Sequence, residues 1–396
     1  EKDKTESSRL IGLFVNNYLN DLPVLSIEQT HSLYNELIPT ITIDDVNKIV
    51  DELIMEDNRV ILVSVPEKDG MSIPTEKDLK VILENVSKEK ITAYEDKTLD
   101  IPLVEKIPAK AEIVSERRNE KLDYMEWKLA NGVNIIAKQT DFKNDEILMR
   151  AFSPGGNSLV EDKDYIAALT SVSILNESGL GKFSQTELIK KLAGKIVRCN
   201  PFISNYYEGF NGSCSPNDLE TLLQLVYLQF TAPRADSSAF ISYKNKILTS
   251  LANSDNDPQS AFQDTISTTL TNYNHRSRPI SKKLLEEMDM QTSLSFYKDR
   301  FADASDFTFI FVGNIDIEKF KPLVQTYLGG LPSLNRNEKY GEKHITYIDG
   351  KIEKSLKKGI EPKSSVSVTF VGNMEWNRHN EYKFESLIDV LNIRLR

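Results

Sequence analysis

Four histidines (His31, His275, His344 and His379) and two cysteines (Cys199 and Cys214) are the side chains of this 396-residue sequence best suited to hold a transition metal or attack a substrate. None of the histidines has a second ligand at the close helical or hairpin spacing that zinc sites show. A lone His reads first as a surface or capped imidazole. The cysteines have no neighbouring His and read as small buried thiols in strands. Two cysteines also make neither a disulfide framework nor a four-Cys zinc site. Gly179-x-Gly181-x-x-Ser184 has the outline of a dinucleotide loop, but it follows a helical stripe where that loop needs a strand. Asp255-x-Asp257 begins like a calcium loop and then lacks Gly at the sixth position and Glu at the twelfth. No G-x-x-x-x-G-K phosphate loop occurs. Tyr206-Tyr207 and Trp376 could line a groove, with core packing as the default. By residue type and spacing, the chain carries no complete active site.

The elements that would position these residues read as α+β. Leu10, Phe14 and Tyr18, then 27–37, then 46–53, recur at helix spacing, with Thr42 and Asp45 as a capping pair. Asn58 to Val65 reads as a strand. The stretch 67–120 holds prolines and charge, and reads as a linker draped over a surface through Ile101, Leu103 and Val104. A hairpin follows around Asn131-Gly132, and a strand over 147–152 ends at Pro154-Gly155-Gly156. A helical stripe runs from Tyr165 to Leu175. Ser184-x-x-Glu187 caps a short helix, two strands fill 195–213, and Ser215-Pro216 opens a longer helix. Helices follow near 237–252, 258–272 and 317–328. Phe307, Phe309 and Phe311 alternate in a strand, and further strands are expected near Thr346 and over 365–370. The similarity of 58–65 to 306–313 reads as a weak repeat, hence duplicated domains. The element order predicts an antiparallel sheet with helices on one face.

Charge and length narrow the function. With 59 acidic and 49 basic residues the net charge is −10, which argues against a nucleic-acid partner. No apolar run is long enough to span a membrane. The chain opens without Met or a signal-like profile and closes inside the helical pattern of 384–396, so it reads as an internal piece of a longer protein.

The order of motifs resembles the insulinase/pitrilysin family of zinc peptidases. Trp127-x-Leu-x-Asn131-Gly132, Thr140-x-Phe142 and Ser153-x-Gly155-Gly156 are similar to the opening of one of its domains. Gly179-x-x-x-Phe183-x-x-x-Glu187-Leu188, Ser215-Pro216-x-Asp218-Leu219-Glu220, Phe230-Thr231-Ala232-Pro233-Arg234 and Phe296-Tyr297 continue it. Phe311-Val312-Gly313-Asn314-Ile315-Asp316 is similar to its close. The family's H-x-x-E-H motif binds zinc through two His and activates water through the Glu. With Gly179 on the Gly after that helix, the motif positions here are Thr170, Ser173 and Ile174, none able to ligate zinc.

The resemblance implies repeated α+β domains. Residues 1–66 would end a preceding peptidase-like domain, and 67–120 would join two halves. A complete inactive domain would cover 121–333, and 340–396 would begin a further one. It implies the non-catalytic half of a zinc metalloendopeptidase, inactive alone, which helps enclose peptides. The zinc would be bound outside this chain, in an N-terminal catalytic half. Arg396 is the candidate substrate contact. The alternative is a scaffold or partner subunit of the same fold. The compartment is open, with a periplasmic or cell-envelope setting favoured.

Overall fold

The computed structural model describes residues 5–53, 59–65, 72–90, 92, 101–254, 257–343, 345–359 and 362–395. The chain divides into two compact units, Glu1–Lys97 and Thr98–Arg396.

In the first unit, helices α1 (Ser7–Asn20), α2 (Ile27–Leu37) and α3 (Ile43–Leu53) match the apolar spacing. Ser26 and Gln29 form a reciprocal capping box at the start of α2. The Thr42 hydroxyl accepts from the Asp45 N–H (3.2 Å), and the Asp45 carboxylate accepts from Thr42 (2.9 Å). A fourth helix, α4 (Glu76–Lys88), lies inside the stretch read as linker. Its signal was present in Thr75-x-x-Asp78, a second capping box followed by Leu79, Ile82, Leu83 and Val86. The expected strand at 58–65 is corrected: residues 59–65 form no strand and their side chains are exposed, and Asn58 lies outside the described residues. A Val/Ile run has strand propensity, but only a pairing partner turns it into a ladder.

The second unit is built on one sheet. Its strands are β1 (Ile113–Asn119), β2 (Tyr124–Leu129), β3 (Asn134–Gln139), β4 (Ile147–Pro154), β5 (Val197–Ile203), β6 (Tyr207–Cys214) and β7 (Thr308–Gly313). The order across the sheet is β1-β2-β3-β7-β4-β6-β5. Asn131-Gly132 does turn the β2–β3 hairpin. Gly132 sits at φ +93°, where a Cβ would come within 2.7 Å of Ser305, and the Asn131 amide donates to the Leu328 carbonyl at 2.9 Å. The all-antiparallel expectation needs one correction: β3 and β7 are parallel. The chain leaves the sheet after β6, crosses it through helices, and returns between β3 and β4 in the direction of β3. A long crossover permits this where a hairpin would not.

Burial alternates along β4 and β7, so one face is packed and the other is not. The packed face carries Trp127, Ile135, Met149, Phe210, Phe309 and Phe311. The core against it is completed from α5 (Tyr165–Ser178), α6 (Gln185–Lys191), α7 (Leu219–Thr231), α8 (Ser237–Ser254), α10 (Lys282–Glu286), α11 (Met290–Arg300) and α12 (Ile317–Tyr327), with Ile174, Leu222, Leu223, Tyr297 and Phe320 among its members; α9 (Pro258–Leu270) follows α8 in the chain. Ring pairs such as Phe210–Phe301 (5.0 Å) and Phe230–Phe307 (5.1 Å) tie α7 and α11 to β6 and β7. Each such fully buried side chain stabilises by roughly 1.5–3 kcal/mol over an exposed one.

Residues 101–111 belong to this unit. Val104 is buried in the core, Leu103 packs against it, and the Ala111 N–H donates to the Gln325 carbonyl at 2.9 Å. Beyond α12 the chain is strapped down by carboxylates. Asp303 accepts from the Leu334 and Arg336 N–H groups (2.9 and 2.6 Å), and Asp306 accepts from the Glu338 N–H at 2.9 Å. A last helix, α13, spans Arg378–Leu395. The strands expected near Thr346 and over 365–370 are absent among the described residues, where Val366, Val368 and Phe370 are exposed. As at 59–65, β propensity lacks a partner strand here.

Candidate functional site

Helix α5 carries the three positions that the resemblance assigned to metal chemistry. The Thr170 hydroxyl donates to the Ile166 carbonyl at 2.8 Å, one turn back, a common way for a helical Thr to satisfy itself. Ile174 is 0 % exposed and belongs to the core. Ser173 is half-buried. A hydroxyl bonded into its own helix, a second hydroxyl and an alkyl side chain do not fit zinc, which takes imidazole, thiolate or carboxylate. Among the described residues no three His, Cys, Asp or Glu side chains gather into a metal site. Arg396 and His344 lie outside the described residues.

The other sequence candidates have structural duties. A ring nitrogen of His275 lies 3.2 Å from the Asp162 carbonyl, and His31 lies against Asn35 on α2. Cys199 and Cys214 are free thiols, both pushed up to about 12 by burial. Gly179, at φ +94°, ends α5 where a Cβ would meet the Phe183 carbonyl at 2.2 Å, so it is a turn. Asp257 caps α9 through the Gln259 and Ser260 N–H groups. Trp376 lines an open cleft of about 600 Å³ with Phe384 and Ile388.

One polar cluster gave no sequence signal. After β4 the chain turns through Gly155 and Gly156, and the Gly156 N–H donates to the Glu208 carboxylate at 2.5 Å. Glu208 is 0 % exposed, and its second oxygen has no hydrogen-bond partner among the described residues. Arg300 of α11, 4 % exposed, lies 3.9 Å from that oxygen, but its terminal nitrogens donate to Glu338 (3.0 Å) and Asp299 (2.5 Å), and its Nε has no partner among the described residues. Burial first, and then the negative Glu338 and Asp299, push Glu208 up to about 8, against the pull of the Gly156 N–H and Arg300. Glu208 is thus a buried, largely neutral acid at the end of the sheet, beside the strap of residues 334–341. Tyr340 in that strap lies against Tyr206 and Tyr207, at ring centroids 5.4 and 6.5 Å away.

The unpacked sheet face is a second broad exposed surface. Cross-strand register sets its rows. Lys138, Val312, Leu148, Ser213 and Arg198 form one, and Ile136, Ile310, Arg150, Asn211 and Asn200 the next. Asn134, Thr308, Phe152, Gly209 and Phe202 form a third. Leu148 is 49 % and Phe152 36 % exposed. Strand alternation in β4 and β7 made this face legible. The position of β7 between β3 and β4, which assembles the rows, was not.

Residues 288–392 match the model of the Peptidase M16 inactive domain. The "Zinc protease PQQL-like" protein of Arabidopsis thaliana is 26% identical over 84% of this chain and 32% of its own length. The probable zinc protease PqqL of Haemophilus influenzae is 21% identical over 99% of this chain and 42% of its own. The chain therefore spans about a third to two-fifths of the length of these relatives. The crystal structure of the periplasmic protease PqqL from Escherichia coli superposes with a TM-score of 0.55 at 20% identity, covering 86% of this chain and 37% of that one. A mutant of the ferredoxin protease FusC in complex with Arabidopsis ferredoxin gives 0.55 at 15%, covering 87% and 38%. These two likenesses show the fold. The matches agree in pointing to one class, the peptidase-type fold, with the inactive-domain model matching over residues 288–392. The chain is similar to the M16 peptidases, the insulinase/pitrilysin family, and residues 288–392 match that family's inactive domain. No helix among the described residues is long and apolar enough to cross a membrane.

Proposed function

We propose that this chain is the non-catalytic half of a zinc-dependent endopeptidase, pairing with an N-terminal catalytic half to enclose peptides for hydrolysis. The observation that carries the reading is α5. By the resemblance it takes the place of the metal helix, and there Ile174 fills the core and Thr170 bonds to its own helix. In this reading zinc is held outside the chain, where it would polarise a peptide carbonyl and activate water. This chain contributes enclosure, which excludes bulk water and restrains the peptide.

The domain division follows the same reading. Residues 1–66 end one peptidase-like domain, 67–120 connect the halves with residues 101–119 packed onto the inactive domain of 121–333, and 340–396 begin another. Arg396 is assigned to substrate contact. The periplasm or cell envelope is the proposed compartment, in line with the periplasmic PqqL of E. coli. The test is metal analysis and cleavage of a quenched fluorescent peptide for the chain alone, the catalytic half alone, and the two mixed. Turnover raised by mixing supports the reading. A mixture no faster than the catalytic half, supplied with the rest of the chain after Arg396, favours a scaffold subunit.

A further inference from the structure

The unpacked sheet face is cationic in an anionic chain. Its strand positions carry Arg117, Lys128, Lys138, Arg150 and Arg198, against the single carboxylate of Glu126. Glu126 is already engaged, since the Arg117 Nε donates to it at 2.8 Å. Lys138 donates to the Leu122 carbonyl at 2.8 Å and has no carboxylate partner among the described residues. Lys128, Arg150 and Arg198 are exposed and make no ion pair with a described residue. The face therefore carries a charge of 5 − 1 = +4 in a chain whose total is −10. A sheet face left to water usually mixes both signs. One-sign charge on a broad surface concentrates ligands of the opposite sign.

The cations are interleaved with apolar side chains. Arg150 sits in register between Ile310 and Asn211. Lys138 and Arg198 close the two ends of the row that holds Val312 and Leu148. In the third row Phe152 and Phe202 flank Gly209, which offers no side chain between them. Nucleic acid would need cations in a continuous track along a backbone. Apolar side chains alternating with carboxylates match the rows better. We infer that this face binds acidic peptide segments, with carboxylates against Arg150, Arg198 and Lys138, and apolar side chains over Leu148, Ile310 and Phe152. The identification of the occupant as peptide rests on the proposed function; the sign of its charge rests on the face alone.

The experiment measures fluorescence anisotropy of short labelled peptides with the whole chain. One peptide alternates Glu with Leu and Phe, and a second replaces every Glu by Lys. A single-stranded oligonucleotide is the third probe. The acidic peptide should bind at least about tenfold tighter than the basic one at low salt, and the preference should shrink as salt shortens the Debye length from about 10 Å to a few ångströms. An exposed ion pair contributes up to about fivefold, so Arg150→Gln with Arg198→Gln should weaken acidic-peptide binding by roughly tenfold. Arg150→Glu with Arg198→Glu should reverse the preference. Lys163→Gln, beside α5 on the helical side of the sheet, should leave it unchanged. Trp127 fluorescence checks that each variant is folded, since the exchanged side chains are exposed.

Equal binding of both peptides, indifference to the Arg substitutions, or tighter binding of the oligonucleotide at the same face would overturn the inference. The two readings fail separately. Cleavage by the mixed halves without charge preference would leave the proposed function standing and remove this one. Selective acidic-peptide binding without any gain in cleavage would do the reverse.

Discussion

Replacing Glu208 by Gln tests the electrostatics of the polar cluster. An open-chain glutamic acid ionises near 4.5, and burial lifts Glu208 to about 8, so the folded protein holds a proton that the unfolded chain has lost throughout this window. When the folded state binds more protons than the unfolded one, stability falls as pH rises. The contribution is fully present below about 4.5 and is lost as pH climbs to about 8. At about 1.36 kcal/mol per pH unit, the interval from 4.5 to about 8 sets a ceiling of about 5 kcal/mol. Gln keeps an oxygen for the Gly156 N–H and cannot ionise. Denaturant unfolding followed by Trp127, which is buried where Trp376 is exposed, gives the free energy at each pH. The wild-type and Glu208→Gln proteins should agree within about 1 kcal/mol near pH 5, and the variant should be the more stable by a few kcal/mol near pH 8.5. Parallel profiles, or a wild type that gains stability relative to the variant as pH rises, would refute the reasoning. Either result would mean that Arg300 pairs with an ionised Glu208 more strongly than its bonds to Glu338 and Asp299 allow.

Other perturbations have worked magnitudes. Leu223→Ala removes a fully buried side chain of α7 and should cost about 2–5 kcal/mol in the same denaturant assay; no loss would remove the packing account. Gly156→Ala puts a Cβ at φ +62° within 2.4 Å of the Ser204 carbonyl, and should cost at least about 2 kcal/mol from the left-handed strain and backbone shift, read as a lowered melting temperature. Limited proteolysis should cut first after Glu67 and before Val104, whose side chain is buried; first cuts within 121–333 would contradict the domain division.

Local signals were the legible part of the fold. Ser184 and Glu187 form the expected capping box (2.8 and 3.4 Å), because the pairing is set within four residues. Asn131-Gly132 and the alternation of Phe307, Phe309 and Phe311 were equally readable. Non-local pairing was not. The parallel β3–β7 ladder joins residues some 174 apart, as in Asn134 against Thr308, and nothing in either strand encodes its partner. The runs at 59–65 and 365–370 look like β7 in composition but pair with nothing among the described residues. The loss of ligands at Thr170, Ser173 and Ile174 was visible because it is a matter of residue type. The Glu208–Arg300 cluster was hidden because its members come from β6, α11 and the strap, far apart in the chain. The cationic face was masked by the net charge of −10, which sums over both faces of the sheet.

The measurement that bears most directly on the central claim is zinc content and peptide turnover for this chain alone, set beside turnover when the catalytic half is added. Zinc should be substoichiometric, the chain by itself should show no turnover, and the mixture should cleave faster than the catalytic half alone. Stoichiometric zinc with turnover from this chain alone would contradict it, because Thr170, Ser173 and Ile174 offer zinc no imidazole, thiolate or carboxylate.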